Sequence, residues 1–267
     1  MDHARGEGAV LNHVIRTVAE TGSTNADMLG LARSGAAEGL WLRAGRQTSG
    51  KGRQGRAWDS PEGNLFVSTV VRVRPGEPPA ATLALVAAVA LEETVAVFLR
   101  HPGKSRDLRA DSTAERDPGF RRGDGLVIKW PNDILIDGAK LSGILLERTD
   151  DAVVIGFGVN LAHHPVDIDR PATSLAAHGP APDPAIFAET LAESFARWLS
   201  RWRDGIAPVR ERWLARAHPV DTALTARLAD GSSVDGLFGG LDSQGALILR
   251  LADGTSRVIH AGDVFLL

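Results

Sequence analysis

The chain has 267 residues, 43% hydrophobic and 24% charged, which suits an ordinary folded protein with one sizeable core and room for a small second module. Its 30 basic and 33 acidic residues leave a formal net charge of -3, so a polyanion would have to be met by a local patch. Without a single cysteine, disulfides, thiolate metal sites and any route through an enzyme thioester are excluded.

The first ten residues mix acidic and basic side chains with no apolar stretch, which does not describe a signal peptide. Residues 12–20 are expected to form a strand. Ser23, Thr24 and Asn25 follow it and offer capping side chains to a helix over residues 27–34. Residues 39–44 predict a short strand, and it runs straight into the segment GRQTSGKGRQGRAW at 45–58.

That segment nearly spells two phosphate-binding motifs. A P-loop needs Ser or Thr after its lysine and a helix behind it, but here Gly52 follows Lys51. The dinucleotide fingerprint must also open a helix, which the run from Arg56 to Pro61 cannot form. A mobile, basic, glycine-rich loop is left, expected to order only around an anion, because Lys51, Arg53 and Arg56 repel one another.

Beyond the loop, residues 64–71 predict a buried strand and residues 80–99 a long helix. The longest apolar run, about 80–91, stops at Glu92 and Glu93 and is expected to be too short to cross a bilayer. Residues 100–125 hold 12 charged residues among 26 and should be a loosely held insertion. Strands are expected at 126–130, 134–136, 140–147 and 152–161, with a break at 131–133 and a hairpin turn at Asp137-Gly138. Asp183-Pro184 starts a helix with Phe187, Leu191, Phe195, Trp198 and Trp202 on one stripe. From Pro219 onward, turns about every ten residues predict a small all-β barrel of the SH3-like kind. The expected class is α+β, a mixed and mostly antiparallel sheet with helices over residues 1–217, then the barrel at 218–267.

Taken one at a time, the polar segments have bland readings: a helix cap at 23–25, solvated strand-edge lysines at Lys129 and Lys140, a strand bend at Gly156 and Gly158. Together they resemble the biotin–protein ligases. The resemblance is carried, in the family's order, by STN at 23–25, the basic loop running on to SPEGNLFVS, KWPND at 129–133 followed by KLSGILLE, and GVN at 158–160. It covers residues 15–160, and the C-terminal barrel agrees with the family's third part. Lys51 stands where the family usually has the first arginine of Gly-Arg-Gly-Arg, a place thought to contact biotin through the backbone.

The resemblance implies a class II synthetase-like catalytic fold and two steps. Biotin and ATP give biotinyl-5′-AMP and pyrophosphate, and a lysine of a biotin carboxyl carrier domain then attacks the adenylate. Arg53 and Lys140 are implied beside the carboxylate and α-phosphate, with Arg56 nearer the triphosphate. Ser23, Thr24 and Gln47 are implied at the ureido ring, and Asn25, Gly50, Lys51, Gly52 and Gly143 elsewhere around biotin. Trp58 is implied on the adenine, and Asn132 and Asn160 at the nucleotide. Asp133 either holds Mg2+ or orients Lys140, and it could ease deprotonation of the incoming lysine.

The nearest rival, a lipoate ligase or octanoyl transferase, lacks the basic loop paired with KWPND. A DNA-binding regulator of the same family would need an added helix-turn-helix, for which the 22 residues before Ser23 leave no room. A cytoplasmic, monofunctional ligase is therefore expected, with the carrier as partner, no specific DNA and no membrane, and with a homodimer left open.

Overall fold

The computed structural model describes residues 13–100, 125–166, 170–228 and 230–267. Residues 101–124, nearly all of the expected insertion, lie outside them. Strands β1 (Val14–Thr21) and β2 (Leu40–Gln47) run parallel, joined by helix α1 (Thr24–Arg33). A parallel pair needs such a crossover. Ser23 caps α1, its hydroxyl accepting from the Ala26 amide.

The other strands of this sheet are antiparallel: β3 (Leu65–Arg72), β4 (Leu126–Lys129), β5 (Asp133–Ile136), β6 (Ala139–Thr149) and β7 (Ala152–Val159). Their order is β1-β2-β3-β7-β6-β5-β4, the mixed, mostly antiparallel sheet that was expected. One detail differs. The 131–133 break ends a residue early, because Asp133 already pairs with Lys129 on one side and Gly143 on the other. Its carboxylate therefore projects from a strand between two neighbours.

Period-two alternation splits the sheet into two faces. Leu65, Val67 and Val71 of β3, with Val153, Ile155, Phe157 and Val159 of β7, join the large core beneath helices α2 (Leu83–Arg100) and α3 (Pro184–Arg203). On the opposite face Val70 and Val154 pack with Met28 and Ala32 of α1. The expected stripe of α3 is buried from Phe187 to Trp202. A further helix, α4 (Ala207–Ala215), was not foreseen, because it buries only Val209 and Trp213 and its apolar stripe is too thin to register.

Helix α2 corrects the expectation about apolar length. With its leading turn it spans Ala80–Arg100 and is long and apolar enough to cross a membrane, yet 72% of its most apolar window is buried inside the protein. It is a core helix. Glu92 does not end it, because the buried carboxylate pairs with Arg212 and Arg216, each at 2.6 Å. Burial nevertheless pushes the Glu92 carboxyl above its usual range, outweighing both guanidinium groups.

Strands β8 (Ala223–Arg227), β9 (Ser233–Leu241), β10 (Leu247–Arg250), β11 (Ser256–Ile259) and β12 (Asp263–Leu266) form a second, antiparallel sheet in the order β11-β10-β9-β8-β12. Its apolar residues Leu224, Phe238 and Leu247 belong to the same core as α2 and α3. The Trp130 indole N–H donates to the Gly245 carbonyl, and Arg210 donates to Leu241. These contacts fix the turn between β9 and β10 to the residue after β4 and to α4.

Candidate active site

A cavity of about 510 Å³ opens on the α1 face of the large sheet. It exists because three strand positions facing it, Gly143 on β6 and Gly156 and Gly158 on β7, have no side chain. Other groups take the space. The Trp58 indole lies so close over Gly158 that a Cβ there would meet Cε2 at 2.6 Å, and a Cβ at Gly156 would overlap Asn25 Oδ1.

One end of the cavity is neutral and dense in hydrogen bonds. Gln47 Oε1 accepts from the Thr24 amide at 2.9 Å and lies 3.2 Å from the Thr24 hydroxyl, while Gln47 Nε2 donates to Ser60. Asn25 is fixed at both ends of its amide, Nδ2 donating to Glu147 and Oδ1 accepting from Ser68 Oγ at 2.7 Å. Ser68 Oγ is also 2.8 Å from the Thr24 hydroxyl, and with one proton it can donate to only one of them at a time.

The other end is cationic. Lys140 Nζ lies 2.7 Å from Asp133 Oδ1 and 5.6 Å from the Trp58 ring centroid. Arg53 reaches Asn132 Oδ1 at 3.5 Å, and Asn132 in turn donates to the Ile144 carbonyl. Asn25 contacts β6 at Leu145 and Glu147, whereas Lys140 begins the same strand. The Lys140 side chain reaches forward beside Gly143, where a Cβ would lie 3.5 Å from Nζ, so about two residues of strand, roughly 7 Å, separate the ammonium from the Leu145 level. The cavity is thus chemically polar along its length.

The basic loop folds back over this floor. Gly52 N–H donates to the Arg56 carbonyl and Trp58 N–H to that of Gly50, with Gln54 and Gly55 left-handed at the tip. Arg53 and Arg56 bond the two oxygens of Asp263 on β12 at 3.0 and 2.8 Å, and Arg53 also donates to the Gly262 carbonyl. The expectation that the loop's cations have no anion of their own is corrected here. Asp263 is that anion, a residue more than 200 positions away in sequence, with no motif around it to mark it.

Two partly exposed ion pairs contribute about 1 kcal/mol each, whereas fixing Gly50 to Gly55 costs on the order of 6–12 kcal/mol. Asp263 therefore biases where the loop sits without by itself offsetting the cost of ordering it. Asp263→Asn is expected to speed tryptic cleavage after Arg53 and Arg56 a few-fold, read from the decay of intact chain on a gel. An unchanged decay would show that the latch carries no weight.

Of the sequence-proposed site residues, the cavity wall gathers Ser23, Thr24, Asn25, Gln47 and, from the loop, Lys51, Gly52, Arg53, Arg56 and Trp58. Asn132, Asp133, Lys140, Gly143 and Asn160 complete it. Gly50 is not on the wall. It packs beneath the loop, where a Cβ would meet Ser60 Oγ and the Trp58 carbonyl at 2.6 Å, so its smallness serves the fold. The Asn160 amide is spent on the Thr173 carbonyl and holds the strap that follows β7. The wall also includes Asp59, Arg170, Ala172 and Asp263, which sequence reading did not single out. Lys129, read alone as a solvated lysine, is partly buried. Burial lowers its ammonium pKa, and Arg170 and Lys140 lower it further, against the opposing pull of Asp133 and Asp263.

Comparison with known proteins shows the family. Residues 21–160 fit the biotin/lipoate A/B protein ligase family and residues 225–267 the biotin protein ligase C terminal domain. A biotin–(acetyl-CoA-carboxylase) ligase of Paracoccus denitrificans is 38% identical over 260 residues, 93% of this chain and 98% of that protein. The Mycobacterium tuberculosis protein of the same name is 35% identical over 251 residues, 92% of this chain and 86% of its own. The structure of a biotin protein ligase from Aquifex aeolicus in complex with biotin and ATP superposes with a TM-score of 0.76 at 21% identity, covering 95% of this chain and 99% of that one, and it supports the fold alone. With that family model matching more than half of its length and relatives this similar over nearly all of it, the chain belongs to the biotin/lipoate A/B protein ligase family.

Proposed function

We infer that this chain is a biotin–protein ligase that activates biotin with ATP and passes it to a lysine of a biotin carboxyl carrier domain. The observation that carries this reading is the polarity of the cavity. A neutral, hydrogen-bonding end suits a ureido ring, and a cationic end next to it along β6 suits a carboxylate and phosphates. A lipoyl or octanoyl chain would bring only apolar surface to this polar group of Thr24, Asn25 and Gln47 and gain no hydrogen bond from it.

In the first step a biotin carboxylate oxygen attacks the α-phosphorus of ATP. The bond to the β-phosphate oxygen breaks, and its electron pair leaves with pyrophosphate. Two anions must meet, and at ~4 Å with an effective dielectric near 20 they repel by about 4 kcal/mol. Lys140 and Arg53 offset that repulsion, and Arg56 stands toward the triphosphate. Asp133 takes the positioning role, since its carboxylate already holds Lys140. Among the described residues no group of three or more metal-ligating side chains occurs, so Mg2+ is taken to arrive with the triphosphate as part of the substrate. Trp58 supplies a ring for adenine, and Asn132 a hydrogen bond to the nucleotide.

In the second step the carrier lysine attacks the acyl carbon and AMP leaves. The loop over the adenylate limits water's access until then. Residues 1–217 hold the chemistry and residues 218–267 add Asp263 to it. The reaction is placed in the cytoplasm, with the carrier as the protein partner and no role for operator DNA. Incubation with labelled biotin, ATP and a carrier domain tests the reading. Label should appear on the carrier lysine only with ATP present, and transfer of lipoate in preference to biotin would replace it with the rival.

A further inference from the structure

Three cations converge on one aromatic ring where the two sheets meet. Arg170 lies 4.3 Å, Arg227 5.0 Å and Lys129 5.6 Å from the centroid of Phe265 on β12. Among the described residues none of the three has a carboxylate at ion-pair distance. The nearby Asp133 and Asp263 are already held by Lys140 and by Arg53 with Arg56. Gathering cations this way is unfavourable unless an anion joins them. An aromatic face lowers that cost, and a planar guanidinium seated on it keeps its N–H groups free to point elsewhere.

Of the three, only Arg170 also reaches the cavity wall. It reaches it at the cationic end, two residues before Ala172, which bridges to Lys140 on β6. Resting on the ligase reading, we propose that Arg170, seated on Phe265, receives the β- and γ-phosphates of ATP and retains pyrophosphate when the mixed anhydride forms, with Lys129 adding its charge from the same ring. The small C-terminal sheet then serves the first step twice, through Asp263 on the loop and through Phe265 under Arg170. The leaving group, which takes the electron pair of the broken bond, gains its negative charge beside a fixed cation.

The test measures ATP-dependent pyrophosphate exchange and its inhibition by pyrophosphate. Arg170→Ala should raise KM for ATP and weaken pyrophosphate inhibition by about tenfold, the low end of what a lost charge-assisted hydrogen bond gives. KM for biotin should move less than twofold. Phe265→Leu, which keeps the fold's apolar contact and removes the ring, should shift the same two constants in the same direction by a smaller factor. Arg227→Ala removes a cation from the same ring without touching the cavity and should leave them within twofold.

Equal effects of Arg170→Ala and Arg227→Ala would reduce the site to a general positive field and overturn it. So would an unchanged ATP constant, or a biotin constant that rises in parallel. Failure of the wild-type protein to exchange pyrophosphate at all would instead sink the ligase reading, which keeps the two failures apart.

Discussion

Lys140→Ala should slow adenylate formation by about 10²–10³-fold while weakening biotin binding only modestly. The ammonium ion sits at the cationic end, 2.7 Å from Asp133 Oδ1, and its charge is needed most when carboxylate and α-phosphate meet. Before that moment most of biotin lies toward the neutral end, so the ground state loses little. Pyrophosphate release in a single turnover measures the rate, and calorimetry measures biotin affinity. The single variant also leaves the nearly buried Asp133 without its cation, which destabilises the protein in its own right. The double variant Lys140→Met with Asp133→Asn removes both charges, should fold normally, and should be as slow as the single one. A single-turnover rate within threefold of wild type in either variant would remove Lys140 from the chemistry.

Gly156→Ala should weaken biotin binding by about a hundredfold, the scale set by misplacing a binding group by an ångström. The added methyl would overlap Asn25 Oδ1, and Asn25 cannot simply swing aside, because its amide is held by Glu147, Ser68 and the Leu145 carbonyl. Moving it disturbs Thr24 as well, since Ser68 touches both. Gly30→Ala on α1 makes the contrast. Nothing lies within 4 Å of its new methyl, so it should raise stability by about 1 kcal/mol and leave biotin affinity alone. If calorimetry returns the wild-type biotin affinity for Gly156→Ala, the neutral end is not where biotin binds.

The local chemistry of this protein was legible in its sequence. Runs of β-branched and apolar residues specified β3, the Asp183-Pro184 pair started α3, and the segments STN, the basic loop, KWPND, KLSGILLE and GVN held most of the residues that the cavity wall gathers, though not Asp59, Arg170, Ala172 or Asp263. Such signals are short-range, because propensity, periodicity and capping act within a few residues. Helix α4 escaped for that same reason, its two buried residues making no pattern.

What only the tertiary structure decided is which distant groups share space. The sequence places Arg53 and Arg56 in a loop and cannot say what answers them, since Asp263 lies in another sheet and becomes their partner only when β12 packs against the large sheet. Gly50 and Gly156 look equivalent in sequence, yet one makes room for the Ser60 hydroxyl and the other for the Asn25 amide facing the cavity. The burial of Glu92 and Lys129 follows the same rule. A charge's cost is set by every chain segment around it, and Arg212 and Arg216 reach Glu92 only through the packing of α4 on α2. Residue type determined what each group could do, and packing determined which of them meet.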